Sequence, residues 1–127
     1  MTRGQKAQRR LKAKRDARRR EARMVGGWTL DLVEARFGFP NGSLATPGHG
    51  STSKILARQV AGYLMTTRLG LAKAEAGRIL RRHESTIWHA VRQVEGMRED
   101  PGLNARIVEL EAAVDALKLA ALPGQTA

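Results

Sequence analysis

The chain contains no cysteine, so disulfide frameworks, zinc ribbons and thiol nucleophiles are excluded. Aromatic residues are scarce, with two Trp, two Phe and one Tyr. Of these, Tyr63 reads as core and Trp88 as a half-buried packing residue rather than a stacking platform. No apolar run approaches the roughly 18 residues of a membrane span, and no secretory apolar region follows the basic start. That start lacks the serines and the clean apolar face of an organellar transit peptide, so a cytoplasmic, nucleoid-associated protein is expected. There is no Gly-x-x-x-x-Gly-Lys-Ser/Thr loop and no βαβ pattern, which removes the means to bind and hydrolyse ATP. Period-2 alternation is also missing, and the fold class expected is all-α.

Acids are the other shortage. The net charge is +11 and the pI about 11.4, values that call for a polyanionic partner. Residues 1–23 hold eleven Lys/Arg against Asp16 and Glu21, so +9 of the charge sits there and only +2 in the remainder. With Leu11 as its one large apolar side chain, this arm has nothing with which to bury a core and is expected to be disordered when alone. Either it is a solvated, nonspecific basic arm, or it is an arginine-rich motif that turns helical on RNA or on the DNA backbone.

The expected organisation is an arm and glycine hinge over 1–27, a helical domain over 28–122 and a tail over 123–127. Gly26-Gly27 reads as the hinge. A first helix should begin at Thr29, capped by its hydroxyl, with Trp28 and Val33 as a hydrophobic staple. Leu30, Val33 and Phe37 would form its inner face, and Gly38 with Pro40 its end. Two prolines, three glycines and five Ser/Thr make 40–53 a loop. A second helix is predicted from about Ser53 to Leu69, with Leu56, Val60, Tyr63, Leu64 and Thr67 inward. A short third follows near Lys73–Leu80, in which Gly77 lets a neighbour approach closely.

The segment Arg82 to Glu95 carries the functional signal. At about 100° per residue Ile87, Val91 and Val94, with Ala90, fall on one apolar stripe, while Ser85, His89, Arg92 and Gln93 point away from it. A short turn after Leu80 makes the third helix and this one, over 84–96, a helix-turn-helix whose second helix suits a DNA major groove. Asp100-Pro101-Gly102 then opens a last helix with Leu103, Ile107, Leu110, Val114, Leu117 and Ala121 on one stripe. Under three heptads long, it is expected to pack back on its own domain, with pairing to a second copy through 103–121 as the alternative.

Three separated motifs then match a family. Arg58-Gln59-Val60-Ala61-Gly62-Tyr63-Leu64, Glu75-Ala76-Gly77 and Arg82 to Glu95 resemble, in order and spacing, the C-terminal DNA-binding domain of the bacterial replication initiator DnaA. Residues 32–38 and Asp100 to Leu110 are similar to its leading and closing helices, so the resemblance covers about 28–117. It implies that Arg82 and the next three residues meet base edges, and that a loop before Arg58 enters the minor groove. Three features depart from the pattern. His83 stands for Asp, Glu84 stands for His, and the loop at 45–55 offers Lys54 and His49 where the family is rich in Arg.

The expectation is therefore a sequence-specific, double-stranded DNA-binding transcriptional regulator. Arg82, His83, Glu84, Ser85, Thr86 and His89 would read bases. Lys54, Arg58, Arg81, Arg92, Gln93 and the arm residues Arg9, Arg10, Arg18, Arg19 and Arg20 would hold the backbone. RNA polymerase or another regulator is a possible protein partner. No cofactor, metal site, small-molecule substrate or membrane partner is expected. His49, His83 and His89 lack metal-ligand spacing, and Ser85 with His89 has no orienting acid for catalysis. The alternatives are a replication-origin modulator competing for initiator sites, an RNA-binding antitermination-type factor working through the arm, and a nucleoid-packing protein without sequence preference.

Overall fold

The computed structural model describes residues 1–121; Leu122 and the tail assigned to 123–127 lie outside the described residues. Among the described residues there is no strand, and the order is α1 (Arg3–Phe37), a 3-10 turn (Ser43–Ala45), α2 (Thr52–Thr67), α3 (Lys73–Leu80), α4 (Glu84–Met97) and α5 (Pro101–Ala121). The protein is thus a small all-α domain. No helix among the described residues is long and apolar enough to cross a membrane.

The first helix corrects the expected arm, hinge and helix start. One 35-residue helix runs from Arg3 through both glycines. Thr2 caps it with a reciprocal box. Its Oγ1 accepts from Gln5 N at 3.1 Å and its own N–H donates to Gln5 Oε1 at 2.9 Å. Thr29 is not a cap but a buried mid-helix residue whose hydroxyl donates to Val25 O at 2.8 Å. Trp28 is exposed, so there is no staple.

Packing explains one of the two glycines inside this helix, Gly26, while a Cβ on Gly27 would meet open space. A Cβ on Gly26 would lie 2.7 Å from Ile79 Cδ1 and 3.1 Å from Leu71 Cδ1. The residue is a close-packing seat against α3, and its lost helix propensity of roughly 1 kcal/mol is the cost of that approach. Val25, Gly26, Thr29, Leu30, Val33 and Glu34 are buried at 3, 4 spacing, so the inner stripe starts one turn before Thr29.

The central helix is α2, which touches each of the other four helices. Ala57, Val60, Ala61, Tyr63, Leu64 and Met65 are buried, Leu56 packs at the core's edge, and Thr67 turns out exposed. The predicted α5 stripe is spent inside the domain, since Ile107, Leu110 and Val114 are buried and Leu103 packs against the core. A second copy docking on 103–121 would have to use the opposite face, which carries exposed Val108 and Leu119.

A polar clamp locks α5 in place. Arg98 donates to both Glu111 oxygens (3.1 and 2.9 Å), to Tyr63 Oη at 3.1 Å and to Asn104 Oδ1 at 2.7 Å. The hydrogen bond to Glu111, then that to Tyr63, raises the Arg98 pKa above the ordinary arginine value. This ties the end of α4 to both α2 and α5.

Candidate nucleic-acid interface

The loop between α1 and α2 has almost no regular structure, so its backbone groups need partners from elsewhere. Three charged side chains, from two helices and the α3–α4 turn, supply them. Glu34 of α1, only 1% exposed, accepts from Gly42 N and Leu44 N, both at 3.0 Å. Arg58 of α2 donates through Nε to Leu44 O at 2.9 Å and through Nη1 to His49 O at 3.2 Å. Arg82, in the turn before α4, donates to Thr46 O at 2.8 Å and Gly48 O at 2.7 Å. Lys54 also leans on this loop, with Nζ 3.2 Å from Thr46 Oγ1.

These contacts remove Arg58 from the surface and give Arg82 partners within the protein. Arg58 is 7% exposed and its Nε and Nη1 are engaged by loop carbonyls, so it is a loop-holding residue and not a surface phosphate ligand. Burial and, secondarily, the Arg82 charge pull its pKa below the ordinary arginine value. Arg82 spends Nη1 on Leu80 O and Arg81 O and Nη2 on the loop, so it links the head of α4 to residues 46–48. The link spans 36 and 34 residues of sequence, which is why it was not visible from local pattern.

The α3–α4 turn is built on close backbone contact. Arg82 N donates to Gly77 O at 2.8 Å and Arg81 N to Arg78 O at 3.3 Å, a Schellman-type ending. A Cβ on Gly77 would stand 2.5 Å from Arg82 O, so the turn lies directly on this position. Arg81 occupies the left-handed region at φ 53°, ψ 47°, the one non-glycine residue with positive φ among those described. Holding a Cβ there costs on the order of 1–2 kcal/mol, and no local packing gain offsets it because Arg81 is exposed.

His83 is the N-cap of α4. Its Nδ1 accepts from Ser85 N at 3.1 Å and lies 2.9 Å from Ser85 Oγ, which leaves Nε2 as the ring nitrogen for any outside partner. Ile87, Ala90 and Val94 are buried and Val91 is half-buried, so the back of α4 is the stripe that the spacing predicts. Glu84, Ser85, Thr86, His89, Arg92 and Gln93 are all exposed. Five of the predicted residues, Ser85, Thr86, His89, Arg92 and Gln93, therefore share the outer side of one helix, while Glu84 opens that helix beside its apolar stripe. Trp88 departs from expectation. It is 56% exposed, with Lys73 Nζ 3.8 Å from its ring centroid.

The arm residues Arg9, Arg10, Arg18, Arg19 and Arg20 are exposed on α1. Arg18 and Arg19 also line a groove of about 410 Å³ with Leu69, Leu71, Glu75 and Lys118, where the arm leaves the body. No protein family, curated protein or solved structure matches the chain. The chemistry of this surface is therefore read from its own residues.

Proposed function

We propose that this chain binds duplex DNA, with α3 and α4 as a helix-turn-helix and α4 in the major groove. The observation that carries the reading is the outer side of α4. Ser85, Thr86, His89, Arg92 and Gln93 stand exposed there on a helix whose back is core, the arrangement of donors and acceptors that base edges and phosphates recognise. His83 through Nε2, Glu84, Ser85, Thr86 and His89 face bases. Arg81, Arg92, Gln93 and the arm face phosphates, while Arg58, Arg82 and Lys54 support the loop that flanks the helix. Likeness to the DnaA reader domain favours the same docking, and His83 and Glu84 favour a different site from that of the family. With no ATPase elements in the sequence, the reading is a transcriptional regulator of the nucleoid that acts by occupying its sites, alone or beside RNA polymerase.

Selection from random duplexes at physiological salt tests this. A sharp motif is expected, and it should persist without residues 1–23. An unselective pool would mean a packing protein, and preference for an RNA hairpin an antitermination-type factor.

The strain at Arg81 supplies a second test. Arg81→Gly relieves the left-handed backbone and should stabilise the domain by up to about 1 kcal/mol in urea unfolding. The same change should flatten the slope of log K against log salt by about 0.9, as expected for one lost phosphate contact. An unchanged slope would remove Arg81 from the interface.

A further inference from the structure

Trp88 is the feature of α4 that neither the fold nor the assigned contacts explain. Its neighbours Ile87 and Ala90 fill the core, yet the indole keeps 56% of its surface in water. So large an apolar group left wet gains little for folding, and an indole, with its broad apolar body and polar N–H, is a side chain enriched at contact surfaces. Lys73, the first residue of α3, lays its ammonium on one ring face, 3.8 Å from the centroid. A cation in the first turn of a helix is opposed by the dipole, so Lys73 is poorly placed for α3 itself.

Placement on the helix narrows the partner. At about 100° per residue Trp88 stands roughly 60° round from Ser85, on the flank of the outer side that faces α3. A flank residue of a groove-bound helix meets the sugar–phosphate wall and not the base edges on the floor. The covered ring face also prevents a base from stacking on that side, leaving the indole edge and its opposite face. We infer that Trp88, with Lys73 seated on it, is a further contact of this interface. The indole packs on deoxyribose of the strand flanking the groove, and the ammonium takes the adjacent phosphate. The inference rests on the duplex-binding reading, and its contribution is independent of sequence.

The test uses the full chain carrying Trp28→Phe, so that Trp88 is the single indole. Acrylamide quenching of its fluorescence is followed as a mixed-sequence duplex is added to saturation. Access to Trp88 should fall several-fold. Trp88→Leu should weaken binding about three- to tenfold on every duplex alike, with helicity by circular dichroism unchanged because the ring is outside the core. Lys73→Gln should flatten the salt slope by about 0.9. If the duplex binds saturably and His89→Ala weakens it while Trp88 stays fully accessible, the contact is wrong and the groove reading stands. Stronger protection and tighter binding with single-stranded RNA would make Trp88 a stacking platform and overturn the inference. Absence of any duplex binding would bring down both.

Discussion

Removal of residues 1–23 is expected to lower affinity for every duplex on the order of a thousandfold near 0.1 M salt, without changing the sequence preferred. The segment holds eleven bases and two acids, and the structure carries it as the front of α1. Some twenty residues of helix make a rod about 30 Å long, enough to follow a duplex backbone well beyond the body. If about six of its bases meet phosphates, the salt slope should flatten by about 5. The fully buried residues of α1 begin at Val25, so the truncated chain gives up only the edge contact of Ala22 and keeps Leu30, Val33 and Glu34 in place. Titrations at several salt concentrations check this. An unchanged slope would take the arm off the phosphates. A changed selected motif would make it a reader.

Glu34→Ala should cost about 3–5 kcal/mol in urea unfolding, the largest single-site loss expected here. Both of its carboxylate oxygens accept backbone N–H groups in a site with 1% exposure, and alanine would leave the amides of Gly42 and Leu44 unpaired. Glu34→Gln should fall between, since the amide keeps one acceptor and turns an NH2 towards an N–H. The effect should reach the interface as well. Leu44 is gripped on both sides, its N–H by Glu34 and its carbonyl by Arg58, and Arg82 ties the same loop to the head of α4. A loss under about 1 kcal/mol would mean the loop is ordered by something else.

What was legible in the sequence follows physical range. The bounds of α3 and the dry back of α4 were readable because hydrophobic periodicity and turn signals act within a few residues. The same local logic failed at Gly26-Gly27, where a breaker signal was overridden by packing against Ile79 and Leu71. Thr29 looked like a cap, although Val25, Thr29 and Val33 already sat on one stripe, and the Thr2–Gln5 box marked the true start. Arg58 and Arg82 looked like unengaged cations because the loop carbonyls they hold are 9 to 36 residues away. Trp88 lies where the apolar stripe meets the outer side, so periodicity alone assigned it to packing.

The central claim is that α4 enters a duplex, and amide chemical-shift mapping tests it most directly. On adding a selected duplex, perturbations should concentrate at Arg81–Gln93, at the flanking loop from Thr46 to Lys54, and along the arm. The α5 face bearing Val108 and Leu119 should stay unmoved. Shifts confined to the arm, or centred on α5 with α4 silent, would contradict the account.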